Sequence, residues 1–311
     1  MSKIALFDVD SKIPNLALMK ISSYHKSLGD DVVMYDPLWA NEYDKVYAST
    51  IFKFSDKSLV DEKRMEVGGT GWDLKTTLAP EIEKSNPDYT IYDYPHNLGF
   101  TMRGCRFRCG FCVVPEKEGK HNTPMTIDAL WQQRDSNFIM LLDNDFFGNP
   151  DWRLRIDEMV TNKLRISFSQ GLNIRLITKE QSDALATVNY RSMKNTRKVV
   201  QFAWDQYGAG TEKLIMQGIE MCVDSGIKPS HMMFYVLIGY NTTPEQDLYR
   251  VEKLRDLGCD PYVMPYDKQD RYQKNFARWV NHKALFKSVP WSDYEPNKYA
   301  EYQKNRIKEL S

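Results

Sequence analysis

Between residues 98 and 287 the sequence alternates six times between a short apolar stretch and a longer stretch with helical periodicity. Short apolar runs bounded by polar residues are typical of buried strands. The strand candidates are 98–103, 138–143, 164–169, 198–204, 232–238 and 261–264, and the helix candidates are 126–134, 151–161, 178–187, 210–225, 244–257 and 272–286. Strands that alternate with helices predict a parallel sheet, and six such units predict a partial (β/α)6 TIM-like barrel over residues 96–287.

The first 95 residues show a smaller version of the same pattern. The segments KIALFDVD, DVVMYDP and KVYAST are strand candidates, and the segment between Pro14 and Gly29 is a helix candidate. This order predicts a small Rossmann-like α/β domain over residues 1–95. Residues 288–311 are polar and aromatic, and we expect a C-terminal surface tail there.

Composition excludes several broad classes of protein. The 42 Lys and Arg residues equal the 42 Asp and Glu residues, which argues against a protein that coats nucleic acid non-specifically. No apolar run approaches the ~18 residues of a membrane helix, so we expect no membrane partner. Acidic residues follow the N-terminus too closely for a signal peptide. Five cysteines are too few for a disulfide scaffold, so a reducing, cytoplasmic location is expected.

Three of the five cysteines lie within eight residues, in the segment GCRFRCGFC. Cys105, Cys109 and Cys112 have C-x3-C-x2-C spacing, and three thiolates in one short loop can converge on a soft metal centre. A structural zinc ion would need a fourth ligand, which His96 or His121 could supply. A four-iron four-sulfur cluster with three protein ligands leaves one iron open. The loop follows the first strand of the predicted barrel, where reactive residues gather, and this position favours the cluster.

This loop resembles that of the radical S-adenosylmethionine (radical SAM) superfamily, and the resemblance extends over about residues 95–265. The spacing of Cys105, Cys109 and Cys112 is the signature of that superfamily, and Phe111 matches its aromatic residue before the last cysteine. The resemblance implies a 4Fe-4S cluster whose open iron binds the amino and carboxylate groups of SAM. Reductive cleavage of SAM then produces a 5′-deoxyadenosyl radical that abstracts hydrogen from the substrate. It also implies a reducing partner such as flavodoxin or ferredoxin.

The resemblance also implies residues that contact SAM at the ends of later strands. Asp143, Asn144 and Asp145 stand in LLDNDF, where the superfamily usually has a Gly-Gly-Glu type segment that binds the methionine ammonium group. A charge-assisted hydrogen bond to an ammonium group is available to these acceptors. The alternative is that one of them caps a helix. Asp205, after the fourth strand, is a candidate for the ribose hydroxyls or for the substrate.

Two more segments belong to the implied SAM site. Three polar residues follow the third strand: Gln170, Asn173 and Arg175. Arg175 is a candidate partner for the SAM carboxylate, and the alternative is a surface arginine. After the fifth strand, Val236 and Ile238 would pack against the adenine, and Gly239 would let the backbone approach it. The alternative for these apolar residues is ordinary barrel core.

The N-terminal domain resembles a degenerate cobalamin-binding domain that precedes a radical SAM barrel. The D-x-H-x-x-G motif that would supply a lower ligand to cobalt is absent, and His25 in the first helix is interpreted as structural. Cobalamin therefore stays a possible but unfavoured cofactor. Asp8 and Asp10 form a D-x-D pair like that of haloacid-dehalogenase-type phosphatases, but we expect them to end the first strand and to cap the helix.

The substrate is the least determined part of the prediction. The segment 267–287 has six basic and two acidic residues with interleaved aromatic residues, which suits a phosphate-bearing or nucleobase substrate. The alternative is a solvated helix whose aromatic side chains pack on the barrel. The sequence thus predicts a radical SAM enzyme that functionalises a C–H bond, by methylation or rearrangement, of a nucleotide-like or anionic small molecule. A nucleic-acid-modifying member and a non-catalytic zinc-binding protein are the alternatives.

Overall fold

A computed structural model of the protein describes residues 1–120 and 124–294. The fold is of the α/β class, with parallel sheets and helices in both halves, as the alternating pattern predicts. The chain divides into two compact units, Met1–Ile139 and Met140–Ser311. This division lies after Ile139. The domain boundary near residue 95, which the alternation of strand and helix candidates indicates, stays a prediction.

The first unit contains a four-stranded parallel sheet. Its strands are β1 (Lys3–Asp8), β2 (Asp31–Met34), β3 (Lys45–Ser49) and β4 (Met65–Gly68). The strand order is β2-β1-β3-β4, and every pairing is parallel. Helix α1 (Leu16–Ser27) connects β1 to β2. The sequence pattern did not predict β4, because this strand is only four residues long and runs into a glycine-rich turn.

Helix α1 begins at an asparagine rather than at an aspartate. The Asn15 side chain accepts hydrogen bonds from the N–H groups of Ala17 and Leu18, which satisfies two donors at the helix N-terminus. Asp8 does end β1, but its Oδ1 accepts the Ser11 N–H at 3.0 Å. The prediction that Asp8 and Asp10 cap α1 was therefore wrong, because Asn15 stands directly before the first turn.

Helix α1 and one face of the sheet form the core of this unit. The buried cluster consists of Ile4, Leu6, Leu18, Ile21, Val32, Tyr47 and Ile82. His25 is buried beside it, with Nδ1 at 2.9 Å from Asp30 and Nε2 at 2.9 Å from the Tyr47 hydroxyl. Both ring nitrogens are thus hydrogen-bonded, which confirms the structural role predicted for this histidine.

The segment beyond residue 95 is tied to the N-terminal part of the first unit. It contains β5 (Asn97–Gly99), α3 (Val114–Lys117) and α4 (Ile127–Leu130), and it follows the short helix α2 (Pro80–Glu83). The Tyr89 hydroxyl bonds to both the N–H and the carbonyl of Leu98. Gln133 Nε2 donates to the carbonyls of Tyr94 and His96. These bonds connect the segment beyond residue 95 to Tyr89 and Tyr94, which precede it.

The second unit repeats strands and helices. Its strands are β6 (Phe138–Leu141, which spans the division), β7 (Arg165–Phe168), β8 (Asn189–Tyr190), β9 (Val200–Ala203), β10 (Met232–Ile238) and β11 (Asp260–Pro265). Its helices are α5 (Trp152–Thr161), α6 (Lys179–Thr187), α7 (Ala209–Asp224), α8 (Pro244–Asp256), α9 (Arg271–Asn281) and α10 (Lys283–Ser288). The sequence pattern predicted most of these elements to within a few residues, and β10 with the same bounds.

Strands β9, β10 and β11 form a parallel sheet with β10 in the centre. One face consists of fully or almost fully buried side chains, among them Phe202, Phe234, Val236 and Val263. The segment after β7 joins this sheet, because Leu172 forms a parallel bridge with Phe202. Parallel pairing requires crossover connections, and helices α7 and α8 supply them.

The C-terminal part of the described chain packs on α9. The predicted helix 272–286 is two helices, separated at His282, whose ring accepts the Leu285 N–H at the start of α10. Trp291 lies 5.0 Å from the Phe276 ring and 5.3 Å from the Trp279 ring, measured between centroids. The start of the expected surface tail is thus packed against a helix, and its residues 295–311 lie outside the described residues.

In residues 1–120 and 124–294, no helix is long and apolar enough to cross a membrane.

A buried arginine joins the ends of two strands to a helix in the second unit. The guanidinium group of Arg250, on α8, donates to the carbonyls of Trp204 and Leu237 at 2.8 and 2.7 Å and to Asp247 at 2.6 Å. Arg250 and Asp247 are both completely buried. The two terminal nitrogens of Arg250 make these bonds, whereas its Nε has no partner among the described residues. Loss of either partner of a buried ion pair is costly, because the remaining charge has no water around it.

We predict that Arg250→Ala lowers the free energy of unfolding by about 3–5 kcal/mol, since it leaves Asp247 buried without its cation. The exposed pair between Arg153 and Glu180 supplies the control, and Arg153→Ala should lower the free energy of unfolding far less, because water screens this pair. Urea unfolding followed by circular dichroism measures both. Equal costs for the two variants would contradict the structural role assigned to Arg250.

Candidate functional site

The three clustered cysteines lie on the loop between β5 and α3, in the first unit. The side chains of Cys105 and Cys109 are half-buried and that of Cys112 is exposed. The Phe107 N–H points to the Cys105 sulfur at 3.5 Å, and the Cys112 N–H donates to the Cys109 carbonyl in a tight turn. Phe111, between the last two cysteines, is half-buried. Hydrogen bonds to cluster sulfurs tune the reduction potential of iron–sulfur proteins.

The loop has a constrained backbone at its start. Gly104 has a φ of +84°, and a Cβ atom there would lie 2.3 Å from the Lys120 carbonyl oxygen. Its N–H donates to Glu118 Oε2 at 3.0 Å, and the Cys105 N–H donates to the Gly119 carbonyl at 3.2 Å. A side chain at position 104 would therefore break the closure of the loop. The two ends of the cysteine segment are held together by these contacts.

Three soft ligands, the thiols of the cysteine loop, are candidates for holding a metal cluster. No group of three or more His, Cys, Asp or Glu side chains in residues 1–120 and 124–294 is arranged to hold a metal ion. The donor set itself fits, since three thiols on one short closed loop are soft ligands of the kind that iron–sulfur clusters use. His96, considered as a fourth zinc ligand, has Nδ1 at 2.8 Å from the Ser136 hydroxyl. His121, the other candidate, lies outside the described residues.

In the second unit, the polar residues proposed from the sequence lie directly after the strands. Asp143 and Asp145 follow β6 and are buried, while Asn144 is half-buried. The end of β6 adjoins the end of β7, because the Ser169 N–H and hydroxyl both donate to the Leu141 carbonyl. Asp145 makes no capping hydrogen bond to the helical turn that follows it. The alternative of a helix cap is thus not seen at Asp145.

The segment after β7 is organised around Arg175. Its Nε donates to Oδ1 of the Asn173 side chain at 3.3 Å, and its Nη1 donates to Gln206 Oε1 at 3.1 Å. Arg175 is half-buried, so it is a positioned side chain and not a freely solvated one. Gln170 is exposed and lies next to Ser169. The sequence did not indicate a role for Gln206, because its contact with Arg175 joins two segments that are distant in sequence.

Asp205 has the most perturbed carboxyl group among these strand-end residues. Burial raises its pKa to about 6, against the lowering effects of the Leu237 N–H and of the charges of Arg250 and Arg175. A group with a shifted pKa at the carboxyl end of a parallel strand is a candidate for binding or proton transfer. The structure therefore supports the choice of Asp205 on a physical ground that its sequence position did not supply.

The segment after β10 fits its proposed role less directly. Val236 and Ile238 are completely buried in the core, in line with the alternative considered for them. Gly239 has a φ of +77°, and a Cβ atom there would lie 2.2 Å from Nε2 of Gln273. A glycine is needed at this position, but the group that approaches its backbone is a side-chain amide of the protein itself.

In the first unit, the carboxyl ends of β1 and β3 form the edge where a doubly wound sheet usually binds its ligand. Here the protein's own groups bond to one another at this edge. The Tyr92 hydroxyl donates to Asp8 Oδ2 at 2.6 Å, and Asp10 accepts the N–H groups of Ile51 and Phe52. His25 is bonded through both nitrogens and supplies no lower ligand for cobalamin. His25 could become a ligand of cobalt only if it gave up one of these two hydrogen bonds.

A scan against models of known protein families finds no match for the chain, and a search of curated proteins finds no related sequence.

We predict that Asp205 contributes a loss of stability as the pH rises from about 4 to about 6. The native pKa of about 6 exceeds the unfolded value of 3.8, so the native state keeps a proton that the unfolded state has already released. The slope from this one group is at most about 1.4 kcal/mol per pH unit. Asp205→Asn removes this slope, so the variant should gain stability relative to the native protein across this range. Chemical denaturation at a series of pH values measures it, and a difference that does not change with pH would refute the raised pKa.

Proposed function

We propose that the protein is a radical SAM enzyme that functionalises a C–H bond of a small-molecule substrate. The observation that carries the proposal is the C-x3-C-x2-C spacing of Cys105, Cys109 and Cys112 on one closed loop. Three thiols with this spacing suit a cluster that keeps one iron open. When bound, the cluster would supply an electron for the reductive cleavage of SAM, and a flavodoxin or ferredoxin would supply that electron in turn.

The parallel strands of the second unit support the finer architecture that goes with this function. We propose that they belong to a partial TIM-like barrel, whose carboxyl ends carry the functional residues. Polar groups follow β6, β7 and β9 in turn, as such a barrel requires. The proposed SAM contacts are Asp143, Asn144, Asp145, Gln170, Asn173, Arg175 and Asp205, whereas Val236 and Ile238 belong to the core and Gly239 faces Gln273.

Different side chains would bind different groups of SAM. Asn173 and Gln206 fix the guanidinium group of Arg175, which can then present its remaining donors to a carboxylate. Asp143 and Asp145 are carboxylates suited to an ammonium group. Asp205 is partly protonated near neutral pH, so its carboxyl group can both donate and accept hydrogen bonds with hydroxyl groups. In the cysteine loop, the Phe107 N–H would stabilise a thiolate at Cys105.

The proposal is tested by anaerobic reconstitution of the protein with iron and sulfide. A radical SAM enzyme should become brown, bind about four irons per chain, and release 5′-deoxyadenosine and methionine from SAM when a reductant is added. A protein that binds one zinc ion and no iron would overturn the proposal in favour of the non-catalytic alternative. Both metals are measured on the same sample by elemental analysis.

We predict that Cys105→Ala, Cys109→Ala and Cys112→Ala each abolish cluster binding and SAM cleavage, because each removes one of three protein ligands. Cys222 and Cys259 supply the matched controls. Both lie outside the C-x3-C-x2-C segment and are buried in the second unit, where burial raises the pKa of their thiols. Cys222→Ala and Cys259→Ala should keep the native iron content. Iron loss in the controls alone would contradict the assignment.

A second candidate is a radical SAM enzyme that modifies a nucleic acid. The exposed side of α9 carries Arg271, Lys274 and Arg278 at helical spacing, and Lys287 is exposed on α10. In the described part of the chain, Lys274, Arg278 and Lys287 make no ion pair or side-chain hydrogen bond. The aromatic side chains Phe276 and Trp279 are completely buried, so they pack inside the protein and do not stack on bases. The charge favours this candidate, and the burial of the rings counts against it.

For this candidate, we predict that Lys274→Ala with Arg278→Ala weakens the binding of RNA or DNA and lowers the salt dependence of the binding constant. Each lost phosphate contact should reduce the slope of log K against log salt by about 1. Arg153→Ala with Lys179→Ala removes the same charge on α5 and α6 and serves as the control. Fluorescence anisotropy at several salt concentrations measures both, and no binding at low salt would exclude the candidate.

A further inference from the structure

The two faces of the β9–β11 sheet differ sharply in what covers them. On β11, Pro261 and Val263 are buried, whereas Tyr262 and Met264 are 46% and 43% exposed, and Tyr266, directly after the strand, is 54% exposed. Successive side chains of a strand point to opposite faces, so these three exposed residues share one face. Parallel sheets are almost always covered on both faces. An exposed row of large apolar side chains on a parallel sheet therefore indicates a surface that binds something.

Neighbouring residues extend this row into an aromatic surface. Tyr235 of β10 stands opposite Tyr262, and their ring centroids are 5.9 Å apart in an edge-to-face arrangement. Tyr240 makes a similar contact with Tyr266 at 5.0 Å. We call Tyr235, Tyr240, Tyr262, Met264 and Tyr266 the tyrosine face. Tyrosines and methionines offer broad, polarisable contact area to a planar ring.

A second feature of this face is a buried hydrogen-bond acceptor, the side-chain oxygen of Gln201, that has no partner in the described residues. Gln201 of β9 stands opposite Met233 of β10, two residues before Tyr235 and on the same side of the sheet. Gln201 is 1% exposed, and its Nε2 lies 3.5 Å from the Ser167 hydroxyl. In the described residues its Oε1 has no hydrogen-bond partner. Buried acceptors are rarely left unsatisfied, so a ligand that donates an N–H group is expected beside it.

The charge at both ends of the tyrosine face limits the ligand further. Asp260, at the start of β11, is bound by Arg197 and Lys283, so it is neutralised by the protein itself. The middle of the face, from Tyr235 to Met264, carries no ionisable acid or cation. A charged ring would lose its hydration there without a partner. The bound group should therefore be uncharged.

We propose that the tyrosine face binds the substrate, and that the bound part of the substrate is a planar, uncharged ring with an N–H donor, of the nucleobase class. This inference deepens the proposed function and rests on it only for the identification of the ligand as the substrate. Stacking on tyrosine rings supplies the affinity, since base–aromatic stacking is strong and tolerant of the base. The carbonyl of Gln201 supplies the hydrogen bond.

Saturation-transfer NMR with adenosine, guanosine, cytidine and uridine as probes tests the inference on the protein without cluster or SAM. At least one nucleoside should bind, with more saturation at its base protons than at its ribose protons. Tyr262→Ala should weaken that binding tenfold or more, and Tyr262→Phe should restore it. Tyr249→Ala, which removes an exposed tyrosine from α8 outside the face, is the control and should bind as the native protein does. Gln201→Leu should weaken binding, and the base protons should still receive more saturation than the ribose protons, because stacking on the tyrosines is kept.

Four results would overturn the inference. One is the absence of binding by all four nucleosides, and another is equal binding by the native protein and Tyr262→Ala. The third is a loss of SAM binding in Tyr262→Ala in step with nucleoside binding, which would assign the face to SAM. A native dimer that Tyr262→Ala converts to a monomer would likewise replace the substrate by a second copy of the chain. Failure to assemble an iron–sulfur cluster would overturn the proposed function and leave the nucleoside result standing.

Discussion

The alternation of side chains along parallel strands is the constraint on which the second unit depends. Each strand must bury one set of residues under helices, and the remaining set is left for the other face or for the strand ends. Phe234 and Val263 belong to the buried set. Tyr262 and Met264 belong to the other set and are exposed. A fold of this kind thus separates stability from recognition within single strands. Substitutions on the buried set should act on folding, and substitutions on the other set should act on ligands.

Backbone carbonyls near the strand ends lose their partners in the sheet and need other hydrogen-bond donors. Arg250 supplies such donors to the carbonyls of Trp204 and Leu237, near the ends of β9 and β10. The same guanidinium group lowers the pKa of Asp205, although burial raises that pKa more strongly. One buried cation therefore both closes the sheet end and limits the rise in the pKa of the neighbouring Asp205. The first unit meets the same need with Asp10, which accepts backbone N–H groups after β3.

Local patterns in the sequence predict the elements well and their contacts poorly. The apolar run 232–238 is a strand with those bounds, and the predicted helix 244–257 is α8, Pro244–Asp256. By contrast, Asn15 and not Asp8 caps α1, and Gln273 fills the space beside Gly239. Both outcomes depend on which of several chemically suitable side chains lies nearest in space. Sequence spacing gives the chemistry of the candidates, but not the choice among them.

This distinction also explains why the cysteine loop and the tyrosine face differ as evidence. The loop is local: its three thiols and the glycine that closes it lie within nine residues, so the sequence alone carries the argument for a soft metal centre. The tyrosine face is assembled from β10, β11 and the turn after β10, and it becomes visible only once the register sets Tyr235 opposite Tyr262. Cofactor chemistry in such a protein can therefore be inferred from spacing. The chemistry of the substrate has to be inferred from the side chains that the sheet leaves uncovered.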